Sequence, residues 1–189
     1  MNTLFPIESR FPDGFFYFPE FLSTAEETVL YNEILKIDLH NFNFQGFEAK
    51  RKVASFGYDY SFEKRALSKG KDFPPVFNSV VKKVSGHLSI PQQNFSELLI
   101  TEYPVGSVIN WHRDAPPFDL IAGISLLSDC AFRLRPYDKA KQNRSSVISF
   151  PVMRRSLYII SGIARTEWQH SIAPVKSIRY SITLRTLKN

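Results

Sequence analysis

One of the chain's four histidines opens the tripeptide His112-Arg113-Asp114. On an extended segment residues two apart share a face, so this imidazole and this carboxylate can reach the same ion. A third ligand from a distant His would complete a 2-His-1-carboxylate set, which holds Fe(II) on one face and leaves three positions open. His170, in Glu167-Trp168-Gln169-His170, is the candidate. His40 and His87 read as surface or helix-end residues without function. With eight Asp in the chain, a His-x-Asp pair arises readily by chance, so its weight rests on what surrounds it. Arg179 and Arg185 follow, six apart, on the same side of an expected strand. Two planar guanidinium forks suit a small dicarboxylate, each taking one carboxylate in bidentate geometry. Alone, the pair reads as two exposed or salt-bridged residues. Within fifteen residues of a metal triad, it reads as the lining of a cavity beside the metal.

The elements that must position these groups are mostly short strands. Val53–Tyr60, Glu97–Tyr103, Leu120–Leu127, Ala131–Arg135, Val147–Phe150, Ser156–Ser161 and Ile178–Arg185 are rich in β-branched and aromatic residues and are punctuated by Gly, Pro, Asp and Asn. Two helices are expected. Ser23-Thr24-Ala25-Glu26 is a capping box, after which Val29, Leu30, Ile34 and Ile37 share a face. The second opens at Pro74-Pro75, buries Val76, Phe77, Val80, Val81 and Val84, and ends at Gly86. The fold class is therefore mainly β with N-terminal helices (α+β): a double-stranded β-helix, or jelly-roll, core carrying helices on one side. At 189 residues it reads as one domain, with residues 1–95 as a helical extension and lid and residues 96–189 as the core. The polar run Asp138–Ser146 reads as a hairpin tip.

Composition narrows the setting. One cysteine, Cys130, excludes an internal disulfide and suits a reducing compartment. No apolar run reaches the ~20 residues that span a bilayer, and Glu8, Arg10 and Asp13 break up the N-terminus, so a cytoplasmic enzyme without membrane contact is expected. The net charge of +6 hides an asymmetry: residues 1–48 carry two Lys/Arg against eight Asp/Glu, and the remainder 22 against 10. That imbalance suits a polyanionic partner, and suits an uneven solvated surface equally. Lys50, Arg51 and Lys52 could contact phosphates, and Phe56 and Tyr58 could stack on an unpaired base or simply form a hydrophobic strand face. Trp111, pointing opposite to His112, reads as a core residue, and Trp168 as a wall of the metal pocket.

The order His-x-Asp, distant His, Arg-x5-Arg resembles the AlkB-like family of Fe(II)- and 2-oxoglutarate-dependent dioxygenases, over nearly the whole chain. Phe15–Ser23 resembles the family's N-terminal entry segment and Arg51–Tyr58 part of its nucleotide-recognition lid. Leu98–Asp114 is similar to the strand–turn–strand that delivers two iron ligands, and Pro151–Gly162 and Arg179–Arg185 to the strands framing the third ligand and the co-substrate. The resemblance implies Fe(II) on His112, Asp114 and His170, with 2-oxoglutarate and O2 as co-substrates. It implies further that Tyr103 hydrogen-bonds 2-oxoglutarate, Arg179 pairs with its distal carboxylate, and Arg185 helps hold the chelating end. Thr101 and Ser181 stand where repair-type members carry asparagines near the co-substrate, and are candidates for the same contacts. Oxidative demethylation of an alkylated nucleobase in DNA or RNA, giving succinate, CO2 and formaldehyde, is the leading reading.

Ala115-Pro116-Pro117 departs from the acidic residues that repair-type members place after the iron ligand Asp114, and the next carboxylate is Asp119. Without that pair a single-stranded DNA or RNA substrate is favoured, bound by a monomer. An oxygenase acting on a protein or small molecule is the competing enzyme reading. A nucleic-acid-binding module with a vestigial metal site is the competing reading of another class.

Overall fold

The computed structural model describes residues 11–44, 47–61 and 64–188. These form β1 (Phe15–Phe18), α1 (Thr24–Ile34), β2 (His40–Phe44), β3 (Phe47–Ser61), β4 (Ala66–Lys69), α2 (Asn78–Leu88) and β5 (Phe95–Tyr103). There follow β6 (Ile109–His112), β7 (Phe118–Leu126), β8 (Cys130–Pro136), β9 (Ile148–Val152), β10 (Leu157–Ile160), α3 (Gly162–Thr166), β11 (Trp168–Ile172) and β12 (Arg179–Leu187). Among the described residues the strands make two antiparallel sheets. The major one runs β1-β10-β7-β12-β5-β3-β2, with β4 added to β3; the minor one runs β6-β11-β8-β9. This is the expected jelly roll.

β12 is the strand on which the rest is hung. It lies between β5 and β7, and its first six residues are all buried. One face, with Tyr180, Ile182 and Leu184, joins Leu98, Ile100, Ala122 and Ile124 under Leu30, Ile34, Val80 and Val84 of the two long helices. The opposite face looks across at the minor sheet, where Phe132, Leu134, Phe150 and Ile172 meet Phe118, Ile121 and Tyr158 in a second core. On that inner face the residues of β12 are Arg179, Ser181, Thr183 and Arg185. Their register partners are Tyr103, Thr101, Leu99 and Glu97 on β5, and Ser125, Gly123 and Ile121 for the last three on β7. A polar stripe is thus built into the wall of a sandwich. β1 and β3, from the N-terminal half, are hydrogen-bonded into the same major sheet, through β10 and β5.

The helices differ in detail from the periodicity. The capping box is present: Ser23 Oγ accepts from the Glu26 N–H, and Glu26 accepts from the Ser23 N–H. Val29, however, is 58% exposed, and the buried row is Glu27, Leu30 and Ile34. Glu27 displaces a hydrophobe there because its carboxylate accepts the Leu127 N–H (2.8 Å) and pairs with Arg154 (2.5 Å), tying α1 to the β7–β8 and β9–β10 turns. In the second helix Val76 is exposed within a 3-10 turn, while Phe77, Val80, Val81 and Val84 are buried. Gly86 lies inside α2; the helix ends at Ser89, which takes the left-handed conformation (φ 55°). Strands β1, β2, β4, β6 and β11 escape the sequence pattern because they are short, and alternation over four or five residues is hard to tell from loop. The run from Asp138 does join β8 to β9, through two 3-10 turns. No helix of the described residues is long and apolar enough to cross a membrane.

The reassigned face of α1 is testable by chemical unfolding. Leu30→Ala should cost about 2–5 kcal/mol, whereas Val29→Ala should stay within about 0.5 kcal/mol.

Candidate metal centre

His112 ends β6 and faces His170 of β11 in direct register, with ring centroids 4.2 Å apart. Its Nδ1 lies 2.8 Å from the Asn110 carbonyl oxygen, which can only accept, so Nδ1 carries the proton and Nε2 keeps its lone pair. His170 is held from behind by Phe132, stacked at 5.5 Å with 7° between the planes. Asp114 leaves β6 in a turn that Arg165 fixes: one guanidinium nitrogen donates to the carbonyls of Asp114 (3.1 Å), Ala115 (2.7 Å) and Phe118 (2.9 Å). Ligand atoms of His112, Asp114 and His170 all lie within 4.8 Å of one another.

The two arginines of β12 do different work. Arg185 is occupied by protein carboxylates. Its Nε and Nη2 donate to Asp114 Oδ1 (3.1 and 2.6 Å), and its Nη1 donates to Glu97 (2.5 Å), which also accepts from Ser55 Oγ (3.1 Å). Arg179 is fully buried and donates only Nε, to Ser125 Oγ (3.0 Å), while its guanidinium lies 4.7 Å over the Tyr103 ring. Its Nη1 and Nη2 are buried without partners. Thr101 and Ser181, both buried, sit opposite one another, and the Tyr103 and Ser181 hydroxyls are 3.4 Å apart.

Two of these buried groups are thus left with orphaned polar atoms, and each fits a missing partner. Asp114 Oδ2 accepts no hydrogen bond; the nearest basic atom is His170 Nε2 at 3.5 Å. A carboxylate oxygen among two neutral imidazoles suits a divalent cation. Four unpaired N–H bonds on Arg179 suit a carboxylate. The electrostatics agree. Burial drives the His170 pKa from 6.5 down to about 3, aided by His112, and burial also lowers His112 against the pull of Asp114. Burial alone would raise Asp114, but Arg185 and then the imidazoles hold it well below the usual carboxylate range. Burial pushes Glu97 up against the charge of Arg185.

The residues expected around the substrate are scattered. Alternation along β3 splits the basic run: Lys52 lies 3.6 Å from the Glu102 carboxylate on the helix side, whereas Arg51 sits 4.0 Å over the Phe42 ring and its charge reaches His112 on the site side. Lys50 is exposed and approaches Gly106. Phe56 is corrected outright: it is 9% exposed and packed in the helix-side core, where no base can reach it. Nor do Phe56 and Tyr58 share a regular face. Gly57 between them has φ +82° and marks where β3 leaves β5 to pair with β4 alone; beyond it Tyr60 packs on the inter-sheet core. Tyr58 is half-buried and Asp119 is exposed at the start of β7. Cys130 is buried and His87 is packed by Phe18 and Phe21. Trp168 packs at the edge of the inter-sheet core.

Trp111 is also corrected. Opposite to His112 means outward, and the indole carries the guanidiniums of Arg133 (5.1 Å) and Arg135 (4.5 Å) on the outer face of the minor sheet. Arg113 lies 3.7 Å over the Tyr137 ring. Beside Asp114 a cleft of about 370 Å³ is lined by Arg113, Tyr137, Arg165, Gln169 and Lys188, and Arg135 donates to Gln169 at 2.9 Å. Among the described residues no carboxylate lies within 4.0 Å of Arg113, Arg133, Arg135 or Lys188. The sequence reading misses this rim, and it misses Glu97, Ser125 and Arg165. A charged residue inside Phe95-Ser-Glu-Leu-Leu-Ile was the available signal for Glu97, since an unpaired carboxylate is not tolerated in a strand otherwise so apolar.

The low histidine pKa has a consequence for the metal-free protein. Between 6.5 and about 3 the unfolded chain binds a proton at His170 that the folded chain refuses, so stability is full above pH 6.5 and falls as the pH drops through that window. Thermal melts of metal-free protein from about pH 7.5 to about pH 5 should show a steady loss. Asn at position 170 should flatten it.

Comparison with known proteins agrees with this architecture. A family model described as the 2OG-Fe(II) oxygenase superfamily matches residues 14–185. The chain is 27% identical over 212 residues to the "Alkylated DNA repair protein ALKBH8 homolog" of Arabidopsis thaliana, covering 93% of this chain and 59% of that protein. It is 29% identical over 189 residues to the "RNA demethylase ALKBH5" of Bos taurus, covering 88% of this chain and 44% of that one. The chain thus spans about half the length of these curated relatives. Among solved structures, that of OsALKBH1 matches with a TM-score of 0.71 at 13% identity, over 94% of this chain and 99% of that one. A Pseudomonas putida prolyl-4-hydroxylase matches with a TM-score of 0.65 at 15% identity, over 93% of each. At these identities the structural likeness concerns the fold alone.

Proposed function

The chain belongs to the 2OG-Fe(II) oxygenase superfamily, AlkB-like within it, and from that premise we propose that it demethylates alkylated bases in single-stranded RNA or DNA. It is a dioxygenase that uses Fe(II), 2-oxoglutarate and O2. His112, Asp114 and His170 are the proposed iron ligands and Arg179 the proposed anchor of the distal carboxylate. The observation that carries this reading is the pair of orphans: a buried carboxylate oxygen beside two neutral imidazoles, and a buried guanidinium with two free nitrogens on the inner face of the major sheet.

When bound, iron with 2-oxoglutarate and O2 supplies the oxidation that hydroxylates an N-methyl group, while 2-oxoglutarate becomes succinate and CO2. The resulting N-hydroxymethyl group releases formaldehyde and restores the base. The chain's own residues position the reactants. Asn110 fixes the tautomer of His112, Arg185 orients Asp114, and Arg165 holds the turn that presents it. Tyr103, Thr101 and Ser181 line the co-substrate end. The nucleic-acid part of the reading is supported by the rim. Arg113, Arg133 and Arg135 are backed by aromatic rings and, among the described residues, lack carboxylate partners, as phosphate contacts would need; Arg113 lines the cleft at Asp114, and Arg135 reaches its Gln169 wall from the outer face of the minor sheet. Arg51 on the site side adds a cation from the lid strand. Ala115-Pro116-Pro117 offers no carboxylate beside the iron ligand to compensate for extracting a paired base, so single strands are favoured.

The test is mass spectrometry of methylated single-stranded RNA and DNA oligonucleotides incubated with the iron-loaded enzyme, with methylated peptides alongside. Loss of the methyl group with equimolar succinate and formaldehyde is expected, abolished by His170→Ala. Oligonucleotide affinity should fall with salt, and Arg135→Ala should reduce the slope by about 1 while leaving 2-oxoglutarate turnover without substrate unchanged. Succinate production with peptides alone, and no salt-dependent binding of any oligonucleotide, would transfer the assignment to a protein substrate.

A further inference from the structure

Tyr158 stands on β10 opposite Gly123 of β7, and its ring folds down over that glycine. A Cβ added at position 123 would lie 2.1 Å from Tyr158 Cζ and 2.4 Å from the hydroxyl oxygen, so the ring occupies the place of a side chain there. The register says what lies to either side. Along the inner face of β7, Ile121, Gly123 and Ser125 sit opposite Arg185, Thr183 and Ser181 of β12. Arg185 holds Asp114 at the metal end, and Ser125 holds Arg179 at the other. The Tyr158 hydroxyl is therefore delivered to the inner face of the major sheet, over the position that separates Ile121, opposite Arg185, from Ser125, which holds Arg179. Phe132, 5.0 Å away between ring centroids and itself stacked on His170, fixes the ring from the metal side.

We propose that Tyr158 is a binding residue for 2-oxoglutarate: its hydroxyl donates to the distal carboxylate beside Arg179, and its ring sets the length of dicarboxylate the cavity accepts. The chemistry suits the position. An ionised carboxylate offers about four lone-pair sites, and the free face of Arg179 supplies a fork for two of them. A neutral phenol supplies a third donor without adding charge. Burial first, and then Tyr103, push the Tyr158 hydroxyl above its ordinary range, so it stays protonated and able to donate. Gly123 is what makes the arrangement available, because any larger residue would collide with the ring. Position 158 thus takes part in co-substrate recognition from a strand that carries none of the metal or arginine motifs.

This inference rests on Arg179 being the co-substrate anchor, and the experiment separates the two claims. Binding of 2-oxoglutarate is measured calorimetrically on full-length protein loaded with Mn(II), which is redox-inert here, so no turnover is needed. Tyr158→Phe keeps the ring and its packing, and should weaken 2-oxoglutarate about tenfold, as loss of one hydrogen bond to a charged group does, with Mn(II) affinity unchanged. Gly123→Ala should weaken it similarly by displacing the ring, and should cost nothing further in a Tyr158→Leu background. Wild type should bind 2-oxoadipate, one methylene longer, at least tenfold more weakly than 2-oxoglutarate, and Tyr158→Leu should narrow that gap. Wild-type affinity in Tyr158→Phe together with loss in Arg179→Lys would overturn the role of Tyr158 and leave the pocket standing. Unchanged affinity in both would remove the pocket itself.

Discussion

The structure depends on one buried guanidinium. Arg185 lies between Glu97 of β5 and Asp114 of the turn after β6, and it joins the strand that bears the arginines to the turn that presents the candidate metal-binding carboxylate. All three groups are nearly withdrawn from water, with side chains 15%, 3% and 4% exposed. Removing one member of a buried ionic cluster costs about 3–5 kcal/mol, because the remaining charges lose their compensation. Arg185 engages only one oxygen of Asp114, and the other is left without a hydrogen bond beside two imidazoles that burial keeps neutral. A cation is what this cluster lacks.

That arrangement explains why the two arginines of β12, identical in type and on one strand face, part company. Arg185 meets two protein acids and becomes a fixed support. Arg179 meets a serine and a tyrosine ring, and retains unsatisfied donors in a place water does not reach. Desolvating such a group without partners is costly, and structures tolerate it mainly where a ligand completes the set. The distinction between a residue that shapes a site and one that serves it lies here in the register partners: Glu97 opposite one, Tyr103 opposite the other.

Much of this was legible in the sequence, and the parts that were not have specific causes. Arg-x5-Arg is a local spacing on a strand, where a period of two leaves little choice of face, and His-x-Asp is a local spacing at a strand's end; the structure does bring His112, Asp114 and His170 together. The capping box of α1 is likewise local. What failed was non-local. Val29 lost its place to Glu27 because a backbone N–H at Leu127 and the guanidinium of Arg154 arrive from a hundred residues away. Phe56 and Tyr58 look alike in sequence, but a positive φ at Gly57 breaks their alternation. Trp111 was read correctly as opposite to His112, and wrongly as internal, since which side of the minor sheet faces inward is decided by the major sheet.

The cage around the candidate metal position is assembled from the protein's own contacts: the Asn110 carbonyl on His112, the Phe132 ring stacked behind His170, Arg185 and Arg165 hydrogen-bonded to Asp114. Because these contacts hold the ligands without calling on the ion, the donor set rather than the shape of the cage decides which ion is preferred. Nitrogen and oxygen donors of this kind take cobalt, nickel and copper more tightly than iron, by the general order of divalent affinities. The fidelity of iron loading must then come from the supply of metals around the folding chain, and a shift in that supply would silence the enzyme without unfolding it.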